Sequence, residues 1–250
     1  MTKPTPPHSS QTVETKNRLA LEIAARGYAI APDVLTDMTI HALIQEIATA
    51  GSAAGQRKGS DVYAIRNLLD EAPGVRALAR SPKALGLAAA ILGPDYFPVR
   101  GILFDKTADA NWRVIWHQDL SIAVRERREA PGFGPWSLKS GVVHVQPPTE
   151  VLEKMITLRL HLDECALENG PLRVLPGSHL AGRLSAGAIP EWRSRIPEIV
   201  CPVPRGGALL MRPLLLHASS DAAVPGHRRV IHIEYAAAPL PGGLEWFETA

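Results

Sequence analysis

Cysteine is scarce in this chain: Cys165 and Cys201 are the only two, and they do not form a Cys-x-x-Cys pair. That excludes a disulfide framework and the paired-thiolate redox and zinc motifs, and it suits a reducing compartment. Excess charge is also lacking. Lys and Arg total 27 against 25 Asp and Glu, a balance of +2, which argues against nucleic acid as the main partner. No apolar run approaches the roughly 20 residues of a membrane span, so no membrane partner is expected. Met1 to Gln11 is polar, contains three prolines and has no apolar signal-peptide core. It reads as part of a disordered leader over residues 1–14, with 15–250 as one cytoplasmic domain. Internal repeats, low-complexity tracts and a His-Glu-x-x-His helix are absent too.

What is present fits a globular chain. At 250 residues and 46% apolar content it is long enough to bury a sizeable core. The region from about 15 to 93 reads as helical. Ile40, Leu43, Ile44 and Ile47 repeat with the spacing of one buried helix face, capped by Thr36 or Asp37. A second helix has Ser81 as N-cap, Pro82 in its first turn and Gly93 after its end. From about 97 to 236 short β-rich runs dominate, near 97–106, 112–120, 141–146, 155–163, 171–175, 207–217 and 228–236. The clearest alternation sets Ile156, Leu158, Leu160 and Leu162 on one face, and Thr157, Arg159, His161 and Asp163 on the other. Such strands predict a mainly β sandwich or jelly roll. Residues 123–150 resist this pattern and read as a long irregular lid.

The chemistry concentrates in Trp116-His117-Gln118-Asp119. Residues two apart on a strand share a face, so His117 and Asp119 can reach one metal. His217, at the end of the apolar run Leu214-Leu215-Leu216, supplies a third ligand. Two imidazoles and a carboxylate on one side of a metal form the facial triad of non-heme Fe(II) oxygenases. Arg228 opens the next strand-like run, and its planar fork suits the distal carboxylate of 2-oxoglutarate. Ser219 could donate to the same carboxylate. Lys106, at a strand end, could meet a carboxylate of the substrate. Gln146 and Trp116 are further substrate-contact candidates, with Arg159 and His161 if their face lines the barrel.

Further stretches join these: Gly27-Tyr28, Leu103-Phe104-Asp105-Lys106, Asn169-Gly170-Pro171-Leu172, Leu175-Pro176-Gly177-Ser178-His179, His217-Ala218-Ser219 and Arg228-Arg229. In this order and spacing the chain resembles the phytanoyl-CoA dioxygenase family of Fe(II)/2-oxoglutarate oxygenases, from Gly27 to about Tyr235. The resemblance implies a double-stranded β-helix, jelly-roll and cupin-like, with N-terminal α-helices packed on one sheet. It implies His117, Asp119 and His217 as iron ligands. It selects Arg228 over Arg229 for the cosubstrate, and it turns Arg159 and His161 toward a functional barrel interior. It also implies consumption of 2-oxoglutarate and O2, release of succinate and CO2, and oxidation of a small molecule. Halogenases of this general type lack the carboxylate ligand, so Asp119 favours hydroxylation. The residues alone leave two rivals open: a β-helix protein that binds a ligand or metal without turnover, and a zinc hydrolase.

Overall fold

The computed structural model describes residues 8–58 and 61–248. Its helices are α1 (His8–Arg26), α2 (Asp37–Ala54), α3 (Leu68–Glu71), α4 (Pro73–Ala79), α5 (Pro82–Leu92), α6 (Thr149–Glu153) and α7 (Ile189–Arg195). Its strands are β1 (Tyr28–Ala31), β2 (Gln56–Lys58), β3 (Asp61–Arg66), β4 (Phe97–Lys106), β5 (Val114–His117), β6 (Ile122–Val124) and β7 (Trp136–Lys139). They continue with β8 (Val142–Val145), β9 (Met155–His161), β10 (Leu172–Val174), β11 (Ile199–Cys201), β12 (Ala208–Met211), β13 (His217–Ser219) and β14 (Arg228–Ala236).

The helices begin where side chains can satisfy their free N–H groups. Thr36 Oγ1 accepts from the Thr39 amide at 3.2 Å, and Ser81 Oγ from the Ala84 amide at 3.3 Å. Gly93 closes α5 at a φ of 85°, a conformation that favours glycine. Helix α1 starts at His8, inside the stretch expected to be a disordered leader; residues 1–7 lie outside the described residues. No proline follows Pro7 in this stretch, and Leu19 and Ile23 are fully buried, so packing extends the helix backward.

A seven-stranded antiparallel sheet, in the order β1-β12-β9-β14-β4-β3-β2, forms one wall. A four-stranded sheet, β11-β10-β13-β5, forms the other. This is the mainly β, jelly-roll arrangement expected, with helices outside the larger sheet. Strand β9 shows why the layers form. Its Ile156, Leu158 and Leu160 join Ile65, Leu103, Ile231, Ile233 and the helical core residues in one cluster. Its alternate residues Thr157, Arg159 and His161 face the opposite way, toward the smaller sheet. Asp163 departs from that row: it lies past the strand end and grips Arg229 with bonds of 2.8 and 2.6 Å.

Three strand expectations change. The N-terminal third contains β1, β2 and β3, not helices alone. Tyr28–Ala31 is too short to show a period of two, and only its pairing with β12 makes it a strand. The 207–217 run splits into β12 and β13 around a turn closed by the Leu215 amide on the Arg212 carbonyl. The 123–150 segment is not one irregular lid, because β6, β8 and β7 form a third sheet there. Ser140 and Gly141, with φ of 48° and 77°, make a tight hairpin turn between β7 and β8. Ile122, Val124 and Val145 are buried in a core with Phe133 and Trp246.

Leu160→Ala should lower unfolding free energy by about 2–5 kcal/mol, since it empties a fully buried position. Leu138→Ala, at a site 70% exposed, should stay within about 0.5 kcal/mol of wild type. Urea unfolding measures both, and equal effects would contradict the assignment of the core face.

Candidate active site

Antiparallel pairing of β13 with β5 places His217 directly opposite His117. Their ring centroids lie 4.3 Å apart. Asp119 follows β5, and its backbone N–H bonds to the Pro213 carbonyl at 2.9 Å, in the turn leading to β13. The carboxylate then sits 3.6 Å from His117 Nε2 and 3.7 Å from His217 Nε2. One ligand atom from each residue falls within 4.8 Å of the others.

Hydrogen bonds prepare both imidazoles for a metal. His117 Nδ1 lies 2.8 Å from the Ile115 carbonyl, and His217 Nδ1 lies 2.9 Å from that of Leu215. A carbonyl only accepts, so each Nδ1 carries the proton and each Nε2 presents a lone pair to Asp119's side. Burial pushes His217 down to about 4, which keeps it neutral at pH 7. Burial also acts to lower His117, but the adjacent carboxylate of Asp119 and the Ile115 carbonyl outweigh it and raise its pKa. Burial opposes ionisation of Asp119, yet the flanking His217 and His117 hold it well below the usual carboxylate range. Two nitrogen lone pairs and one ionised carboxylate, gathered on one side of an open space, fit a divalent iron with positions left for other ligands.

Gln118 makes this geometry rigid, a role the sequence reading missed. Its side chain donates to the Leu214 and Gly182 carbonyls at 2.6 and 2.8 Å, and accepts from the Leu184 amide at 2.8 Å. It thereby ties the His117–Asp119 loop to the approach of His217. Ser178, from the Pro-Gly-Ser-His stretch, accepts from the Leu216 amide at 2.9 Å and holds the residue before the ligand.

The triad opens on a cavity of about 340 Å³ between the two sheets. Arg228 lines its far corner, buried, with one guanidinium N–H on the Gly170 carbonyl and its Nε without a partner. The Asn-Gly-Pro stretch therefore positions this arginine. At Gly170 a Cβ would stand 2.5 Å from the Ser220 carbonyl, so the close approach requires glycine. Arg229 points to the other face, engaged by Asp163. Ser219 and Arg159 also line the cavity. Lys106 is fully buried beside Ser219, with Nζ 3.4 Å from its Oγ and bonded to the Ser220 carbonyl. Burial and then the charge of Arg228 push its ammonium down to about 7. Lys106 thus shares the corner of Arg228 instead of a separate substrate position.

The remaining substrate candidates fall in different places. His161 is buried on the inward face of β9 but does not line the cavity, and its Nδ1 is unpartnered. Trp116 turns away from the cavity, because it alternates with His117; it packs with Leu175, Leu216 and Ala218 between the guanidinium groups of Arg173 and Arg193. Gln146 is taken by Arg183 and is not in the cavity wall. His232 and Glu234 line the wall too, as alternation along β14 from Arg228 predicts, whereas Arg66, Arg100, Lys139 and Trp112, also in the wall, were missed by sequence reading. Parity along β4 was the available signal for Arg100, which shares a face with Lys106.

The sequence profile of the family described as Phytanoyl-CoA dioxygenase (PhyH) matches residues 24–230. The L-proline trans-4-hydroxylase of Streptomyces griseoviridis is 26% identical over 242 residues, spanning 84% of this chain and 82% of the hydroxylase. Among solved structures, the epimerase SnoN in complex with Fe3+, alpha ketoglutarate and nogalamycin RO superposes with a TM-score of 0.70 at 18% identity, covering 92% of each chain. EctD from S. alaskensis with 2-oxoglutarate and 5-hydroxyectoine gives 0.67 at 17% identity, covering 95% of this chain and 78% of its own.

His117→Ala and His217→Ala should each lose stoichiometric iron while keeping the circular-dichroism spectrum of the wild type. Full iron occupancy in either variant, measured by elemental analysis, would remove that residue from the ligand set.

Proposed function

We propose that this chain, a member of the phytanoyl-CoA dioxygenase family, hydroxylates a small organic molecule as an Fe(II)- and 2-oxoglutarate-dependent dioxygenase, releasing succinate and CO2. One observation carries the reading. A triad with both imidazole tautomers fixed shares its cavity with a buried arginine that, among the described residues, has no carboxylate partner on its guanidinium. A zinc hydrolase would leave Arg228 and Lys106 without a task, and a bare metal carrier would not need them.

When bound, iron with 2-oxoglutarate and O2 supplies the oxidant for an unactivated C–H bond. The chain supplies the rest. His117, Asp119 and His217 hold the metal and neutralise part of its charge. Arg228 forks onto the distal carboxylate of the cosubstrate, with Ser219 and Lys106 as further donors in the same corner. Phe104, Trp112 and Leu120 give the cavity apolar wall that keeps bulk water from the reacting carbon. Asp119 occupies the position that a halide would need, so oxygen insertion is the outcome.

The partner is a small molecule, and the even charge balance gives no basis for a nucleic-acid surface. Among the described residues no helix is long and apolar enough to cross a membrane. Both cysteines are buried and free, in keeping with a reducing, cytoplasmic setting.

Arg228→Ala should weaken 2-oxoglutarate by about 2–4 kcal/mol while iron still binds. Arg229→Ala should change it by less than about 1 kcal/mol, since Arg229 does not line the cavity and is held by Asp163. Titration of 2-oxoglutarate into the anaerobic iron-loaded variants distinguishes them, and exchanged phenotypes would shift the β14 register by one. With a substrate found by stimulated succinate formation, oxygen from labelled O2 should enter the product, and added chloride should leave product identity unchanged. A chlorinated product would refute the hydroxylase reading.

A further inference from the structure

The cavity has an imbalance that the metal and cosubstrate do not remove. Five cationic side chains line it against two anionic ones, Asp119 and Glu234. A divalent metal and a dianionic cosubstrate add equal and opposite charges, so the excess persists when both are bound. Arg228 accounts for one cation. Arg159 is tied into a buried relay: its Nη1 donates to His232 Nδ1 at 2.9 Å, and His232 Nε2 then lies 3.2 Å from Glu234. Arginine only donates, so His232 Nδ1 accepts and its Nε2 is directed at Glu234. Glu234 also holds Arg100 at 3.4 Å. One carboxylate therefore serves Arg100, His232 and, through it, Arg159.

Arg66 and Lys139 remain. Both are half-buried in the cavity wall, and among the described residues neither has a hydrogen-bond or ion-pair partner. Burial, then the charge of Arg100, lowers the pKa of each, and Arg66 itself lowers that of Lys139, so the three cations feel one another. Glu248, from the C-terminal segment, reaches Arg100 electrostatically, but burial pushes its carboxyl up to about 8, and it offsets little at pH 7. Bringing cations together in a half-dry wall is costly unless a ligand brings the counter-charge.

Their position separates them from the cosubstrate corner. On the paired strands β4 and β14, Lys106 stands opposite Arg228, whereas Arg100 stands opposite Glu234, six residues along. At about 3.4 Å per residue that is ~20 Å of strand. Arg66 pairs with Ile102, next to that distant end, and Lys139 reaches the same region from β7. Ile102 and Phe104 lie on the wall in between, on the face of β4 that carries Arg100 and Lys106.

We propose that the substrate is a compact organic anion whose carboxylate or phosphate group seats on Arg66, Lys139 and Arg100. Its apolar body then crosses Ile102 and Phe104 toward the triad. This rests on the dioxygenase reading and narrows its substrate class. A cavity of about 340 Å³ is at the small end for ligand pockets, typically ~300–1,000 Å³, so the body is short.

The test uses the Fe(II)- and 2-oxoglutarate-loaded protein without oxygen, titrated calorimetrically with inorganic phosphate and, separately, with acetate. At least one anion should bind saturably. Arg66→Gln and Lys139→Gln should each weaken that binding about tenfold, the loss of one charge-assisted contact. Affinity for 2-oxoglutarate should stay within about twofold, since both positions are remote from Arg228. Preference for acetate or for phosphate identifies the anionic group, and either supports the proposal. Lys139 ends an edge strand before an exposed turn, so its variant tests the idea even where Arg66→Gln fails to fold. If neither anion saturates a protein that binds 2-oxoglutarate, the subsite is refuted while the dioxygenase reading stands. The subsite is equally refuted if anion affinity is unchanged in both variants, or if the anion only displaces 2-oxoglutarate. Failure of the wild type to bind 2-oxoglutarate would overturn both.

Discussion

The pairing of β5 with β13 is the constraint on which the site depends. It sets His117 opposite His217 across an antiparallel ladder, although the two are far apart in the chain. Each imidazole then uses the carbonyl two residues before it to fix its tautomer, a local bond that any extended His-containing segment of this geometry can make. The pairing therefore fixes position and the backbone fixes protonation. Asp119 needs only its backbone bond to Pro213 to complete the set, and Gln118 locks the two approaches together with three hydrogen bonds. Such a preformed donor set reduces the reorganisation required on metal binding.

The larger sheet supplies electrostatics where the smaller supplies ligands. Along β4 and β14 the inward residues run from Lys106 and Arg228 to Arg100 and Glu234, with aromatic and imidazole groups between. The cationic ends are separated by the length of the cavity. That separation suits two different anions, each recognised at its own end, with the metal triad on the facing sheet. It also limits the internal repulsion between the ends, which a single cluster of all the cations would suffer.

Legibility in the sequence followed from how local each signal was. The His117-x-Asp119 spacing and the alternation of β9 are local, and the caps of α2 and α5 depend on residues three apart, so these could be read directly; His217 and Arg228 stand on other strands and joined the set through the order of motifs that resembles a known family. Strands β1 and β3 could not, because their pairing partners lie elsewhere in the chain and four or six residues carry little periodicity. Arg66 was lost with β3, and Lys139 with the segment read as a lid. There the Ser140-Gly141 turn between two valine- and leucine-bearing runs was the overlooked sign of a hairpin. Trp116 was misplaced for a different reason. Adjacency to a ligand in sequence means the opposite face on a strand, and the same alternation that selects His117 and Asp119 excludes it.

Alternation also explains why so polar an interior is tolerated. Burying Arg159, His161, His232 and Glu234 opposes folding, since each must be desolvated and matched. The other face of the same strands buries Ile156, Leu158, Leu160, Ile231 and Ile233 against the helices. At about 1.5–3 kcal/mol for each fully buried aliphatic side chain, an upper estimate, that face offsets the cost of the inner one. A slip of one residue would carry the leucines of β9 or the isoleucines of β14 into the cavity, and Arg159 or His232 and Glu234 into the helical core. The apolar face thus selects the register that aims the polar face, and the helices that cover it act on catalysis without touching the site.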